Sequence, residues 1–202
     1  MEAQRIDEKK THNQLIPLDI NLLNTLKSVC KIITNKAEGS GFLIKLNKNM
    51  KDLYCLMTNE HIISKEMINL KQKIIIYYDM ENKNREIILD KRKRFINEFT
   101  NIGIDITIIE IIKEDKIKEK YFLLPYLGDD IINKNIYIIQ YPDSKLSYSK
   151  GKIIKIHKNE IIHDVSTELG SSGSPIFIEN TKCVLEYINK EILKKKKIMV
   201  IY

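Results

Sequence analysis

The 202-residue sequence has no tryptophan, four prolines, seven glycines and three cysteines. So little glycine and proline excludes a collagen-like or low-complexity chain. Cys30, Cys55 and Cys183 are odd in number, widely spaced and without a CxxC pair. That spacing excludes a zinc ribbon and a disulfide framework. Each lies in an apolar run and reads as a small buried hydrophobe, so a reducing, cytoplasmic setting is expected. No run of about 18 apolar residues occurs, so no transmembrane helix is expected. The opening MEAQRIDEKKTHNQ lacks the apolar core of a signal peptide. A Gly-rich phosphate loop, an EF-hand pattern and HExxH are also missing, and neither metal nor organic cofactor is expected.

What is present is an ordinary 43% hydrophobic content, enough for one large all-β domain or two small fused cores. Net charge is +7, but the lysines are scattered and the tyrosines form no stripe among them. That pattern fits a solvated basic surface, with no nucleic-acid or membrane partner expected. The tight basic clusters Lys91–Arg94 and Lys194–Lys197 read as hairpin loops or guards of strand edges. Residues 1–27 read as a polar arm followed by a short helix ending near Lys27. From Ser28 onward, twelve short β-branched runs separated by polar breaks predict strands, with one helical stretch at Ser64–Leu70. The charged segment Lys113–Asp130 is the least strand-like. It divides an N-terminal half, about 28–112, from a C-terminal half, about 131–202. Short strands with frequent turns predict a sandwich or barrels.

Two of the scarce glycines bracket serines in Gly170-Ser171-Ser172-Gly173-Ser174-Pro175, just before an apolar strand. A nucleophilic serine needs a tight turn with backbone N–H groups beside it to stabilise an oxyanion. Serine also needs a general base. Of the histidines, His12 lies in the arm and His157 among lysines in an expected turn, whereas His61 follows the apolar strand Leu53–Met57, in Thr58-Asn59-Glu60-His61-Ile62-Ile63. A carboxylate should orient that imidazole. Asp105 is the lone carboxylate in the apolar stretch Ile102–Ile109, where an unpaired charge is expensive. The chain order is then His, Asp, Ser.

These segments resemble the trypsin-like (chymotrypsin-fold) serine peptidases, and most closely the glutamyl endopeptidases and high-temperature-requirement proteases. The matching pieces are Gly39-Ser40-Gly41-Phe42, Leu56–Ile63, Asp105–Ile109, Leu127-Gly128-Asp129, Ile138–Pro142 and Asp164–Phe177, in the family's order. The resemblance implies two six-stranded antiparallel β-barrels with the active site in the cleft between them. It implies a serine endopeptidase acting on polypeptides, with His61 as base, Asp105 orienting it and Ser172 as nucleophile. It assigns the oxyanion hole to the N–H groups of Gly170 and Ser172. Substrate-binding positions fall at Thr167, at His163 near it, and at Tyr187. Three departures stand out. Ser171 replaces the aspartate that many secreted relatives pair with a new N-terminus. Ile62 replaces a disulfide cysteine. Leu185 occupies a glycine position and Tyr187 a histidine position in the strand expected to line the specificity pocket, which would narrow or block it. The alternative function is therefore a catalytically weak or inactive peptidase homologue acting as a protein-binding module.

Overall fold

The computed structural model describes residues 20–48, 50–99, 105–128, 130–157, 160–181 and 183–185. Helix α1 (Ile20–Leu26) precedes five strands of the N-terminal half: β1 (Val29–Ile33), β2 (Glu38–Lys48), β3 (Lys51–Thr58), β4 (Lys73–Tyr78) and β5 (Lys83–Ile88). Between β3 and β4 lies the five-residue helix α2 (Lys65–Asn69), whose start is capped by the Ser64 hydroxyl accepting from Met67 N–H. Strands β6 (Ile96–Glu98) and β7 (Thr107–Glu110) complete a seven-stranded sheet of order β5-β4-β1-β2-β3-β7-β6. The second sheet is built from β8 (Leu124–Pro125), β9 (Asn135–Gln140), β10 (Ser147–His157), β11 (Glu160–His163), β12 (Ile176–Ile178) and β13 (Cys183–Val184). Its order is β11-β10-β9-β12-β13-β8. Two curled, largely antiparallel sheets follow in sequence, the architecture of a two-barrel chymotrypsin-like fold.

The period-2 pattern explains the inward faces. In β4, Ile74, Ile76 and Tyr78 are buried while Lys73 and Ile75 face out. These side chains join Leu43, Leu56, Ile63 and Ile109 in the N-terminal core. Ile136, Ile138, Ile153, Val165, Ile176 and Leu185 form the C-terminal core. A third cluster belongs to both halves. Phe42, Ile44, Met57 and Ile108 pack there against Tyr137, Ile139, Tyr141 and Phe177. This shared core sets one half against the other.

Two strands depart from the sequence expectation, so the first sheet holds seven strands instead of six. β6 has a single apolar residue, and its pairing is supplied by the exposed edge of β7. β8 contains Pro125, which marks a linker in sequence. Here it pairs in parallel with β13 at a sheet edge, where a missing N–H is tolerated. The adjacent Leu123 exchanges backbone hydrogen bonds with β2, donating to Leu43 O (2.9 Å) and accepting from Lys45 N–H (2.9 Å). The connection between the halves is thus stitched to both sheets. The expected strand at Ile198–Ile201 and the cluster Lys194–Lys197 lie outside the described residues. Cys30 and Cys55 are buried as expected, but Cys183 is only half-buried because it sits on the short strand β13 near the sheet edge.

The cluster Lys91–Arg94 is not a solvated loop throughout. Arg94 folds inward, and its guanidinium clamps Asp115 with two bonds of 2.7 and 3.0 Å, both side chains being about 5% exposed. It also donates to Glu110 O, and Asp115 accepts from Ile112 N–H. Removing one member strands a buried charge. Arg94→Met is expected to destabilise the fold by roughly 3–5 kcal/mol. The check is the denaturant midpoint at unchanged m-value, and Arg94→Met combined with Asp115→Leu should recover part of the loss.

Candidate active site

Strand β3 ends at Thr58, and the chain then turns sharply. Ile62 and Ile63 N–H both donate to Asn59 O (3.3 and 3.2 Å), and both isoleucine side chains are sunk in the N-terminal core. Thr107 Oγ1 pins the same turn by donating to Ile63 O (2.9 Å). His61, on the opposite side of the turn, keeps 47% of its side chain exposed. Its apolar neighbours are the anchor and its ring is the part presented.

Asp105 does not sit in mid-strand, contrary to the sequence expectation. β7 begins at Thr107, and Asp105 lies in the segment entering it. The reason is the turn at His61, which draws the Asp105 backbone and side chain out of the ladder. Asp105 O accepts from Asn59 Nδ2 (2.7 Å). Its Oδ1 accepts from the N–H groups of Glu60 (2.6 Å) and His61 (3.0 Å). Its Oδ2 is hydrogen-bonded to His61 Nδ1. A carboxylate on Nδ1 holds the proton there and leaves Nε2 as the basic nitrogen. Burial pushes the Asp105 carboxyl upward, but the hydrogen bonds from the His61 ring and from backbone N–H groups outweigh it and hold it below the usual carboxylate range. The hydrogen bond from Asp105 raises His61 above its ordinary 6.5 against the opposing effect of burial. A base must be neutral to accept a proton. The expected pH profile of kcat/KM on a peptide substrate therefore rises through an acid limb lying above 6.5. The limb should move downward when Asp105 is replaced by asparagine.

The third segment is the turn Glu168–Ser174. Ser171 is 2% exposed, and its hydroxyl accepts from Glu168 N–H (2.9 Å), so it is a structural serine. Ser172 is half-buried, and its Oγ makes no hydrogen bond among the described residues, to His61 included. The carbonyls of this turn are tied down one after another. Leu169 O accepts from Asp143 N–H (3.1 Å), Ser171 O from Ser174 N–H (3.0 Å) and Ser172 O from Ser40 N–H (2.8 Å). Gly170 O accepts from Ser40 Oγ (2.7 Å). The N–H groups of Gly170, Ser172 and Gly173 donate to no acceptor among the described residues. In a trans peptide the N–H points opposite its carbonyl, so pinning the carbonyls aims these donors the other way. A run of such donors is an anion-binding concavity. Gly170 has φ +93° and Gly173 φ +86°, and a Cβ on Gly173 would overlap Ser40 O and Thr58 Oγ1. That close approach places the turn against the end of β3, three residues before His61.

A profile of the trypsin-like peptidase domain matches residues 39–184, which span all three of these segments. The chain belongs to this family. The peptidase domain is also similar in structure to the Rv3671c protease in its inactive form, at 16% identity and TM-score 0.59, over 90% of this chain and 87% of that one. A serine-to-alanine mutant of Rv3671c from M. tuberculosis H37Rv, also in inactive form, aligns at 17% identity and TM-score 0.59 over 84% and 77%. Deg5 aligns at 17% identity and TM-score 0.60 over 82% and 80%. At these identities the structural likenesses establish the fold. A search of curated proteins finds no match. No helix among the described residues is long and apolar enough to cross a membrane.

Of the expected substrate-binding positions, Thr167 is exposed on the segment leading to the Glu168–Ser174 turn. His163 ends β11, with Nδ1 accepting from Val165 N–H (3.2 Å). Burial holds its imidazole below the ordinary range, with Asp164 pulling the other way. No hydrogen bond joins it to Thr167 among the described residues. Tyr187 lies outside the described residues. Leu185, expected to narrow the pocket, is 4% exposed and packs into the C-terminal core with its N–H donating to Ile176 O (2.6 Å). Its side chain fills core space, which a glycine there would leave empty. Sequence patterning assigns no role to Ser40, Thr58 or the turn Pro142–Ser144. The signals for Ser40 are its place between Gly39 and Gly41 and its presence in the first of the family-like segments, neither of which says what its hydroxyl does.

Proposed function

We propose that this chain is a serine endopeptidase that cleaves polypeptides through an acyl-enzyme on Ser172. The observation that carries this reading is Asp105, whose two oxygens hold both the His61 ring and the His61 backbone. Ser172 Oγ attacks the scissile carbonyl as His61 Nε2 takes its proton. Asp105 stabilises the resulting imidazolium without taking the proton itself. The N–H groups of Gly170 and Ser172 receive the oxyanion, and the imidazolium then protonates the leaving amine. Water repeats the cycle on the ester. The gap between Ser172 and His61 closes when substrate fills the cleft, since catalytic hydrogen bonds commonly tighten only in the complex. In this reading Thr167 and His163 contribute to the binding of the P1 side chain.

The second reading, a non-catalytic protein-binding homologue, is favoured by that same missing Ser172–His61 hydrogen bond. Reaction of the folded protein with a serine-directed fluorophosphonate separates the two. Stoichiometric labelling supports the peptidase, and an inert, well-folded protein supports the binding module.

A further inference from the structure

Ser40 is fully buried in β2, yet it hydrogen-bonds the turn that carries Ser172 and the end of the strand that leads to His61. Its N–H donates to Ser172 O (2.8 Å), and its carbonyl accepts from Thr58 Oγ1 (2.7 Å) at the end of the strand that leads to His61. Its hydroxyl accepts from Tyr141 N–H (2.9 Å) and donates to Gly170 O (2.7 Å). The direction of that hydroxyl is not open to choice. A backbone N–H can only donate and a carbonyl can only accept, so the Ser40 proton must lie on Gly170 O.

We propose that Ser40 is a positioning residue for the Glu168–Ser174 turn, its hydroxyl fixing the Gly170–Ser171 peptide plane that separates the unpaired Gly170 and Ser172 N–H groups, and its own N–H fixing the Ser172–Gly173 plane through Ser172 O. This rests on the peptidase reading above. The peptide plane between Gly170 and Ser171 is held at both ends, by Ser40 Oγ on the carbonyl and by Glu168 O on the Ser171 N–H (3.0 Å). The preceding plane is held at Leu169 O by Asp143 N–H, from a turn in which Asp143 and Ser144 have positive φ (45° and 63°). Ser144 Oγ in turn bonds Glu38, two residues before Ser40 on the same strand. β2 therefore grips the oxyanion side of the site twice, once directly and once through the 142–144 turn. Gly170 has no Cβ and φ +93°, so its own conformational preference does little to hold these planes and the hydrogen bonds must do so.

Ser40→Ala removes the hydroxyl and leaves Gly170 O and the buried Tyr141 N–H unpaired. Losing the aim of one oxyanion donor should lower kcat and the fluorophosphonate rate by about 10–100-fold, with KM within about threefold and the acid limb of the pH profile unmoved. A second measurement guards against partial unfolding. The ratio of affinities for a peptide aldehyde and the matching peptide alcohol is independent of the folded fraction, and it should fall by the same factor. A kcat and an affinity ratio within twofold of the parent would overturn the proposal, as would a change confined to KM. If the parent itself takes up no fluorophosphonate, the peptidase reading has failed. The clamp is then read from the amide NMR resonances of Gly170 and Ser172, which should shift and broaden in Ser40→Ala, and unchanged resonances would refute it.

Discussion

Ser172→Ala is expected to abolish fluorophosphonate labelling and to lower peptide turnover by about a million-fold, the scale seen when the nucleophile of a coupled catalytic unit is removed. Thermal stability should hardly move. Ser172 Oγ makes no hydrogen bond among the described residues, and a half-buried serine without partners contributes within about 0.5 kcal/mol. The neighbouring serine supplies the contrast. Ser171 is buried and its hydroxyl holds Glu168 N–H. Its alanine variant should therefore lose stability before it loses labelling. Active-site titration together with a melting curve distinguishes these outcomes. If labelling survives Ser172→Ala, the nucleophile is another residue.

Asp105→Asn should lower kcat by about 10⁴-fold with the fold intact. An asparagine oxygen can still accept the Glu60 and His61 N–H groups that Asp105 Oδ1 holds. Its amide nitrogen then faces His61 Nδ1 and can only donate. The imidazole must accept there and carry its proton on Nε2, so it cannot take the proton of Ser172. Two further readouts follow from charge. The carboxylate that raises His61 is gone, so the acid limb of any residual activity falls. The pair also couples stability to pH. His61 has its folded pKa raised, so its contribution is present below its unfolded value and disappears as pH rises through the raised one. Asp105 has its folded pKa lowered, so its contribution is lost as pH falls through that value. The parent should therefore gain stability over the variant mainly at mildly acidic pH, where both partners are charged. Urea midpoints measured across pH test this, and a constant difference between the two proteins would contradict it.

Much of this protein was legible from residue order. The β-branched and aromatic run Lys73–Tyr78 reads as a strand, but five consecutive apolar residues do not say which face is buried, and it is the fold that turns Ile74, Ile76 and Tyr78 inward. Scarce glycines around paired serines mark a turn whose backbone must approach another chain segment, and Gly173 lies against Ser40 and Thr58. The family pattern was readable from six ordered segments, because a nucleophile turn and a base turn carry strong local constraints. What the sequence could not supply is anything that depends on distance across the fold. Arg94 looks like one cation in a surface cluster, and only its meeting with Asp115 makes it a buried clamp. Leu185 looks like an obstruction, and only the packing of the C-terminal core shows where its side chain goes. Ile96–Glu98 and Leu124–Pro125 become strands because an edge is offered to them. Asp105 looks like a strand residue, and the His61 turn draws it out of the ladder. Ser40 stands 130 residues before Gly170. Local propensity acts over a few residues, whereas a hydrogen bond between these two exists only once both sheets have formed and the shared core has set them together.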